Sequence, residues 1–338
     1  MKKVVINGNF GIENLEIQEQ ESDSVLPHEI QIKLSAASLN YRDLLMVKGE
    51  YNPRQKLPLV PCSDGAGTVT AVGSAVSRFR IGDRVMPVFA QTWQAGSPTL
   101  NEIRSTLGGP LDGTLRQNIC VPEYSAVKIP AHLSFNEAAT LPCAALTAWS
   151  ALFEYGNLQA GQSVLILGTG GVSVFALQFA KLAGAKTIIT SSSSEKLQMM
   201  QKLGADHIIN YNEKKDWGKE VRKLTGNVGV DYVIEVGGAG TLEQSIRSVR
   251  VDGTISLIGI LAGRAPELNL LPVLMQNVRI QGILVGSRRA FENMNDAIEM
   301  NKLTPLVDRV FPFEEHKEAF LYLQSQKHMG KVVIAIPD

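Results

Sequence analysis

The sequence predicts an α/β protein: a glycine-punctuated β module followed by a doubly wound sheet of six parallel strands. Three observations carry that expectation. Residues 163–185, SVLILGTGGVSVFALQFAKLAGA, run from an unbroken apolar stretch through a glycine turn into helical apolar spacing. After them, short apolar runs alternate with helical stretches as far as Val285. Before them, residues 1 to about 130 hold short period-two runs broken by glycine and proline, without that alternation.

In the central stretch, Val164-Leu165-Ile166-Leu167 is short and apolar throughout, as a strand buried on both faces is. Gly168-Thr169-Gly170-Gly171 follows. Val174, Leu177, Phe179 and Leu182 then recur at helical spacing, and Gly184 stands where the helix should end. Strand, glycine turn and helix in this order form a dinucleotide-binding unit. Gly168 permits the tight turn, Gly170 lets the backbone approach a pyrophosphate, and the helix N-terminus offers N–H groups to the anion. Ser173 replaces the usual third glycine. That position serves helix–strand packing, which a small serine tolerates.

The composition narrows the function classes. A chain of 338 residues suits two domains. Thirty-three basic residues balance thirty-three acidic ones, so nothing points to nucleic acid. Cys62, Cys120 and Cys143 lie far apart, which argues for a reducing compartment and against a disulfide framework. MKKVVINGNF lacks the apolar core of a signal peptide, and no run reaches membrane-spanning length. A cytoplasmic protein without membrane partners is the expectation.

The remaining elements follow in order. Lys3 to Ile6 and Glu29 to Leu34 read as strands, and residues 40–51 as a short helix closed by Gly49. Turns and strands continue through Val72-Gly73 to Val85. Gln91 to Gly113 is irregular, either a surface insertion or an active-site lid. Tyr124 to Pro130 closes the β module, Ser134-Phe135-Asn136-Glu137 reads as a capping box, and Ala144 to Tyr155 as a helix. After the glycine turn, strands are expected at Thr187–Thr190, Asp206–Asn210, Tyr232–Val236, Thr254–Gly259 and Val278–Val285. Helices should fall at Glu195–Leu203, Trp217–Leu224 and Leu242–Val249. The end, a helix from His316 to Leu323 and an edge strand from Lys331 to Ile336, should pack back on the first module.

Nearly the whole chain resembles the medium-chain dehydrogenase/reductase superfamily. The resemblance rests on Gly65-Ala66-Gly67-Thr68-Val69, Gly82-Asp83-Arg84-Val85, Leu146-Thr147-Ala148-Trp149, the glycine turn, Lys202-Leu203-Gly204-Ala205-Asp206 and Gly229-Val230-Asp231. Within it the chain is similar to the zinc-independent quinone oxidoreductases. The resemblance implies a GroES-like catalytic domain, residues 1–130 with 287–338, and a Rossmann NADP-binding domain, residues 131–286. At the family's zinc-ligand positions stand Asn40, Ser63 and Cys143, with Asp64 for the nearby glutamate. Of these only Cys143 is a good ligand, and a catalytic zinc needs three, so no metal is expected. Cys143 alone reads as a small buried hydrophobe.

An NAD enzyme carries Asp or Glu at the end of the second strand, for the ribose 2′-OH. Here Thr190-Ser191-Ser192-Ser193-Ser194-Glu195-Lys196 leaves room for a 2′-phosphate, with Lys196 in reach, so NADPH is the expected cofactor. The alternative is that the serines only cap a helix and Lys196 is solvated. The resemblance also implies cofactor contacts at Asn40, Thr147, Gly171, Val172, Ser173 and Tyr211. It adds Val236, Ile258, Ile260, Val285, Gly286 and Lys331 to that set. Tyr51 matches a tyrosine of related enoyl reductases and is either a proton donor or a pocket wall. Arg42 and Asp43 read as a structural pair. Without a Lewis acid, hydride transfer to a quinone or an α,β-unsaturated carbonyl is less demanding than alcohol oxidation. The rivals are an NADP-dependent alcohol dehydrogenase-like enzyme and an NADPH-binding protein without turnover. The last strand of the sheet is an apolar edge, so a homodimer is expected, as in family members.

Overall fold

The computed structural model describes residues 1–21, 23–261 and 268–337. The chain forms two compact units, Met1–Leu146 with Val285–Asp338, and Thr147–Leu284. The first takes in residues 131–146, beyond the expected boundary at 130. The reason is packing: Phe135–Ala138 lies on the strands Glu29–Leu39 and Asp64–Val72, and Leu141–Ala145 on the latter.

Strands of the first unit begin with β1 (Lys2–Ile6), β2 (Leu15–Glu19), β3 (Glu29–Leu39) and β4 (Asp64–Val72). Then come β5 (Arg84–Pro87), β6 (Asn118–Pro122) and β7 (Ala126–Lys128). The second unit holds β8 (Ser163–Leu167), β9 (Lys186–Ser191), β10 (His207–Asn210), β11 (Val230–Glu235), β12 (Val249–Leu257) and β13 (Arg279–Gly282). The chain returns to the first unit with β14 (Val307–Pro312) and β15 (Lys331–Ala335).

β3 organises the first unit because it serves three partners. Its first half pairs antiparallel with β6, its second half with β15, and its other edge with β4. The register sets Leu39 opposite Val332 and Ser38 opposite Asp64. Asn40, Asp64 and Lys331 therefore meet at one end of three neighbouring strands. β15 is an interior strand and not the expected edge, because β14 lies parallel outside it. Ile30, Ile32, Leu34, Val69, Val85, Phe320 and Val332 are among the buried side chains of this core.

In the second unit all six strands are parallel, in the order β10-β9-β8-β11-β12-β13. This is the expected doubly wound sheet, and its order reverses between β8 and β11. The sixth strand is shorter than expected, ending at Gly282. Trp149, of the Leu-Thr-Ala-Trp stretch, meets Phe179 of the Gly171–Leu182 helix edge-on, with ring centroids 5.5 Å apart. The segment leading into the sheet is thereby pinned to the helix that follows the glycine turn. Among the described residues, no helix is long and apolar enough to cross a membrane.

Candidate active site

Two sets of expected site residues take shape, one in each unit. In the second unit the glycine turn follows β8. Gly168 has φ of 76°, the left-handed region that favours glycine, and its N–H donates to Thr190 O at 2.7 Å. Gly170 is the N-cap of the Gly171–Leu182 helix and offers no side-chain cap. Apart from its chain neighbours, a Cβ at Gly170 would meet no atom of the described residues within 4 Å, so the bare backbone faces open space. The N–H groups of Gly171, Val172 and Ser173 open the helix, where the dipole favours an anion. The Ser173 side chain turns away and donates to Leu167 O at 2.7 Å. The serine thus ties helix to strand, as its size suggested. Open backbone at a helix N-terminus fits a pyrophosphate.

Ser191 ends β9 and is buried, while Ser192 is exposed. Ser193 is the N-cap of the next helix, its oxygen accepting from Lys196 N–H at 3.3 Å. Lys196 stands in the first turn of that helix, and Tyr211 N–H donates to Ser191 O at 3.1 Å. Ser191, Ser192, Lys196 and Tyr211 thus gather at the C-terminal ends of β9 and β10. Helix capping falls to Ser193, which leaves the side chain of exposed Ser192 outside that role.

Val236 follows β11, and Ile258 and exposed Ile260 follow β12, joined by the Ile258 N–H bond to Glu235 O at 2.9 Å. Glu235 itself escaped the sequence reading. It is fully buried; one carboxylate oxygen accepts from Gly237 N–H at 2.8 Å, Gly238 N–H at 2.9 Å and Thr241 Oγ1 at 2.6 Å, the other from Ser245 Oγ. It fixes the turn between β11 and the Ala239–Ser248 helix. Thr147 is buried at the start of this unit. Val285, at φ 48°, and Gly286 belong to the first unit.

The first unit contains a buried polar centre. Asn40 N–H donates to Asp43 Oδ2 at 2.8 Å, which closes the first turn of the Tyr41–Val47 helix. Lys331, 3% exposed, donates to Leu39 O at 2.7 Å and to Asn40 Oδ1, and its ammonium lies 3.7 Å from Asp64 Oδ2. Asp64 accepts from Ser63 Oγ at 2.8 Å and from Cys143 N–H at 3.2 Å. Asn40 Nδ2 lies 3.4 Å from Ser63 Oγ. Burial raises the Asp64 carboxyl above its ordinary range, against the pull of Lys331 and the hydrogen bonds. Burial also lifts Asp43 to about 6, although Arg42 opposes the shift.

Tyr51 is half exposed, its ring 4.9 Å from the Arg42 guanidinium. Arg42 forms the expected pair with Asp43, 3.8 Å apart. It also binds Leu107 O at 3.0 Å, Thr106 Oγ1 at 3.1 Å and Gly109 O. One side chain therefore ties the irregular 91–113 stretch to the segment that carries Asn40 and Tyr51.

Residues 26–131 match the family model of the alcohol dehydrogenase GroES-like domain, and residues 171–300 that of the zinc-binding dehydrogenases. A zinc-type alcohol dehydrogenase-like protein of Schizosaccharomyces pombe is 46% identical, with 99% of each chain aligned. The chain belongs to the medium-chain dehydrogenase/reductase superfamily. As a member it is an oxidoreductase by family. A solved NAD-dependent alcohol dehydrogenase superposes with a TM-score of 0.92 at 34% identity, each chain fully covered. Quinone oxidoreductase-like protein 2 of Bos taurus is 27% identical over 95% of this chain and 89% of that one.

Some of these names imply zinc, and the donor chemistry of the polar centre answers it. The positions that would supply ligands hold a carboxamide, a hydroxyl and the Cys143 thiol. Burial, then the nearby Asp64, push that thiol well above its usual pKa, as befits a small buried side chain. The Lys331 ammonium already holds Asn40 Oδ1. No cluster of three or more His, Cys, Asp or Glu able to hold a metal occurs among the described residues. These residues do not fit a tetrahedral catalytic zinc.

Proposed function

We propose that this oxidoreductase reduces quinones or α,β-unsaturated carbonyls with NADPH and without zinc. The observation that carries the reading is the polar centre itself: a buried lysine ammonium, held by Leu39 O and Asn40 Oδ1 and facing Asp64, lies among the residues that the resemblance matches to zinc-ligand positions. The bound nicotinamide supplies hydride. The open backbone at Gly170–Ser173 holds the pyrophosphate, and Ser191, Ser192 and Lys196 receive the 2′-phosphate. Asn40 orients the reacting groups. Tyr51 donates a hydrogen bond or a proton to the oxygen on which charge develops. Conjugate reduction spreads that charge over an enolate, so one or two donors suffice where alkoxide chemistry calls for a Lewis acid.

The test compares NADPH oxidation by a panel of quinones and enones with NADP⁺ reduction by a panel of alcohols. Turnover with the first panel and little with the second supports the reading. The likeness to an NAD-dependent alcohol dehydrogenase favours the opposite pattern, and that pattern would replace it. Cofactor binding with no turnover on either panel would leave a binding protein.

We also infer a homodimer. β13 ends the sheet, and Leu270, Leu271, Leu274 and Met275 just before it are 59–76% exposed. A second copy pairing on that edge would cover them. Sedimentation of a monomer at micromolar concentration would count against it.

A further inference from the structure

Lys331 has a division of tasks that its burial makes visible. A buried ammonium needs both a counter-charge and acceptors. Asp64 supplies the charge from 3.7 Å, beyond hydrogen-bonding distance, while the hydrogen bonds go to Leu39 O and Asn40 Oδ1. Asp64 does not depend on the ammonium for its own hydrogen bonds, since Ser63, the Cys143 N–H and the Asn40 side chain supply them. Lys331 supplies the charged grip on the Asn40 carboxamide, whose oxygen also faces the Asp43 N–H in the capping box.

That grip fixes the orientation of the carboxamide. An ammonium only donates, so the amide must turn its oxygen to Lys331 and its nitrogen away. Nδ2 carries two N–H groups. Its acceptors within the centre are Ser63 Oγ at 3.4 Å, a long contact, and the Asp64 carboxylate. A charge on the amide oxygen also polarises the N–H groups and makes them stronger donors.

We propose that Lys331 is a positioning residue for Asn40: its ammonium locks Oδ1 and presents Nδ2 as a fixed, polarised hydrogen-bond donor at the reaction centre. The centre thus draws its cation from the chain. This inference rests on the proposed role of Asn40 in the reductase. It differs from the role that the resemblance implies for Lys331, direct contact with the cofactor.

Four variants test it: Lys331→Met, Lys331→Arg, Asp64→Asn, and the double variant Lys331→Met with Asp64→Asn, which leaves no uncompensated carboxylate. The double variant is read against Asp64→Asn because Asp64 also bonds the Asn40 side chain. Melting temperature, NADPH dissociation constant, kcat with a quinone and the side-chain NH₂ signal of Asn40 in ¹⁵N-asparagine-labelled protein are measured for each. The double variant should melt near the wild type and bind NADPH within about twofold. Its kcat should fall on the order of 10- to 100-fold below that of Asp64→Asn, the scale of a misplaced catalytic group, and its Asn40 signal should shift or broaden. Lys331→Arg should recover part of the loss. The kcat of Asp64→Asn retained in the double variant would overturn the proposal, because the ammonium would then only balance Asp64. A weakened NADPH affinity with unchanged kcat would overturn it in favour of a cofactor contact. If the wild type reduces no quinone or enone, the functional reading fails separately, and an unchanged Asn40 signal in the double variant still overturns the positioning role.

Discussion

The second unit builds its candidate site from backbone, whereas the first builds its own from side chains. At Gly168–Ser173 the groups on offer are N–H donors at a helix N-terminus, with no side chain intervening at Gly170. In the polar centre, Asn40, Asp64, Cys143 and Lys331 converge from four distant segments, and only the sheet register brings three of them together. A backbone site tolerates change around it as long as the turn survives. A side-chain site changes chemistry when one residue changes.

The largest effect should fall on the side-chain site. Tyr51→Phe should lower enone turnover by about 10²–10⁴-fold, the range of general acid catalysis, and leave NADPH affinity intact. A quinone, whose reduced product takes protons from water, should suffer much less. Full enone turnover in the variant would make Tyr51 a pocket wall stacked on Arg42.

On the backbone site, Gly170→Val puts a Cβ where, apart from its chain neighbours, no atom of the described residues lies within 4 Å. Folding should be unaffected, but NADPH affinity should drop by roughly 10- to 100-fold, the value of one charge-assisted hydrogen bond of about 1.5–3 kcal/mol. An unchanged dissociation constant would mean that the pyrophosphate does not lie there. Lys196→Ala should weaken NADPH by a similar or smaller factor and leave NADH nearly unchanged. Equal losses for both cofactors would remove Lys196 from 2′-phosphate recognition.

The smallest effect concerns stability. The Asp43 carboxyl titrates near 6 in the folded chain, above its unfolded value of about 3.9. Between those values the unfolded chain ionises first, so the Asp43 contribution to stability is full below about pH 4 and falls until about pH 6. Asp43→Asn keeps an acceptor for the Asn40 N–H and removes the charge. Relative to the variant, the wild type should lose a few degrees of melting temperature across that window. Parallel curves would show that Asp43 is not perturbed.

The same contrast explains what could be read in advance. The glycine turn, the Ser173 substitution and the capping box at Ser134 are local, and each was legible in the sequence because neighbours in the chain are neighbours in space. So was the parallel sheet, whose central strands β8 and β11 are almost wholly buried. β14 was missed because Val307–Pro312 is mostly exposed and gives no alternation, which left β15 looking like an edge. Asn40 and the absent zinc ligands could be found by resemblance. The partners of Lys331 and the anchoring of residues 106–109 by Arg42 could not, since each depends on contacts between segments far apart in the chain. The turn held by Glu235 is local, but a buried carboxylate capping N–H groups ahead of it leaves no periodic signal.

The central claim is that a chain-borne polar centre replaces the metal in an NADPH reductase. It is tested most directly by dialysing the purified protein against a strong chelator, verifying metal removal by elemental analysis, and following NADPH oxidation with a quinone. The account predicts the same turnover before and after dialysis, with no gain on adding zinc. Activity lost on chelation and restored by one equivalent of zinc would contradict it.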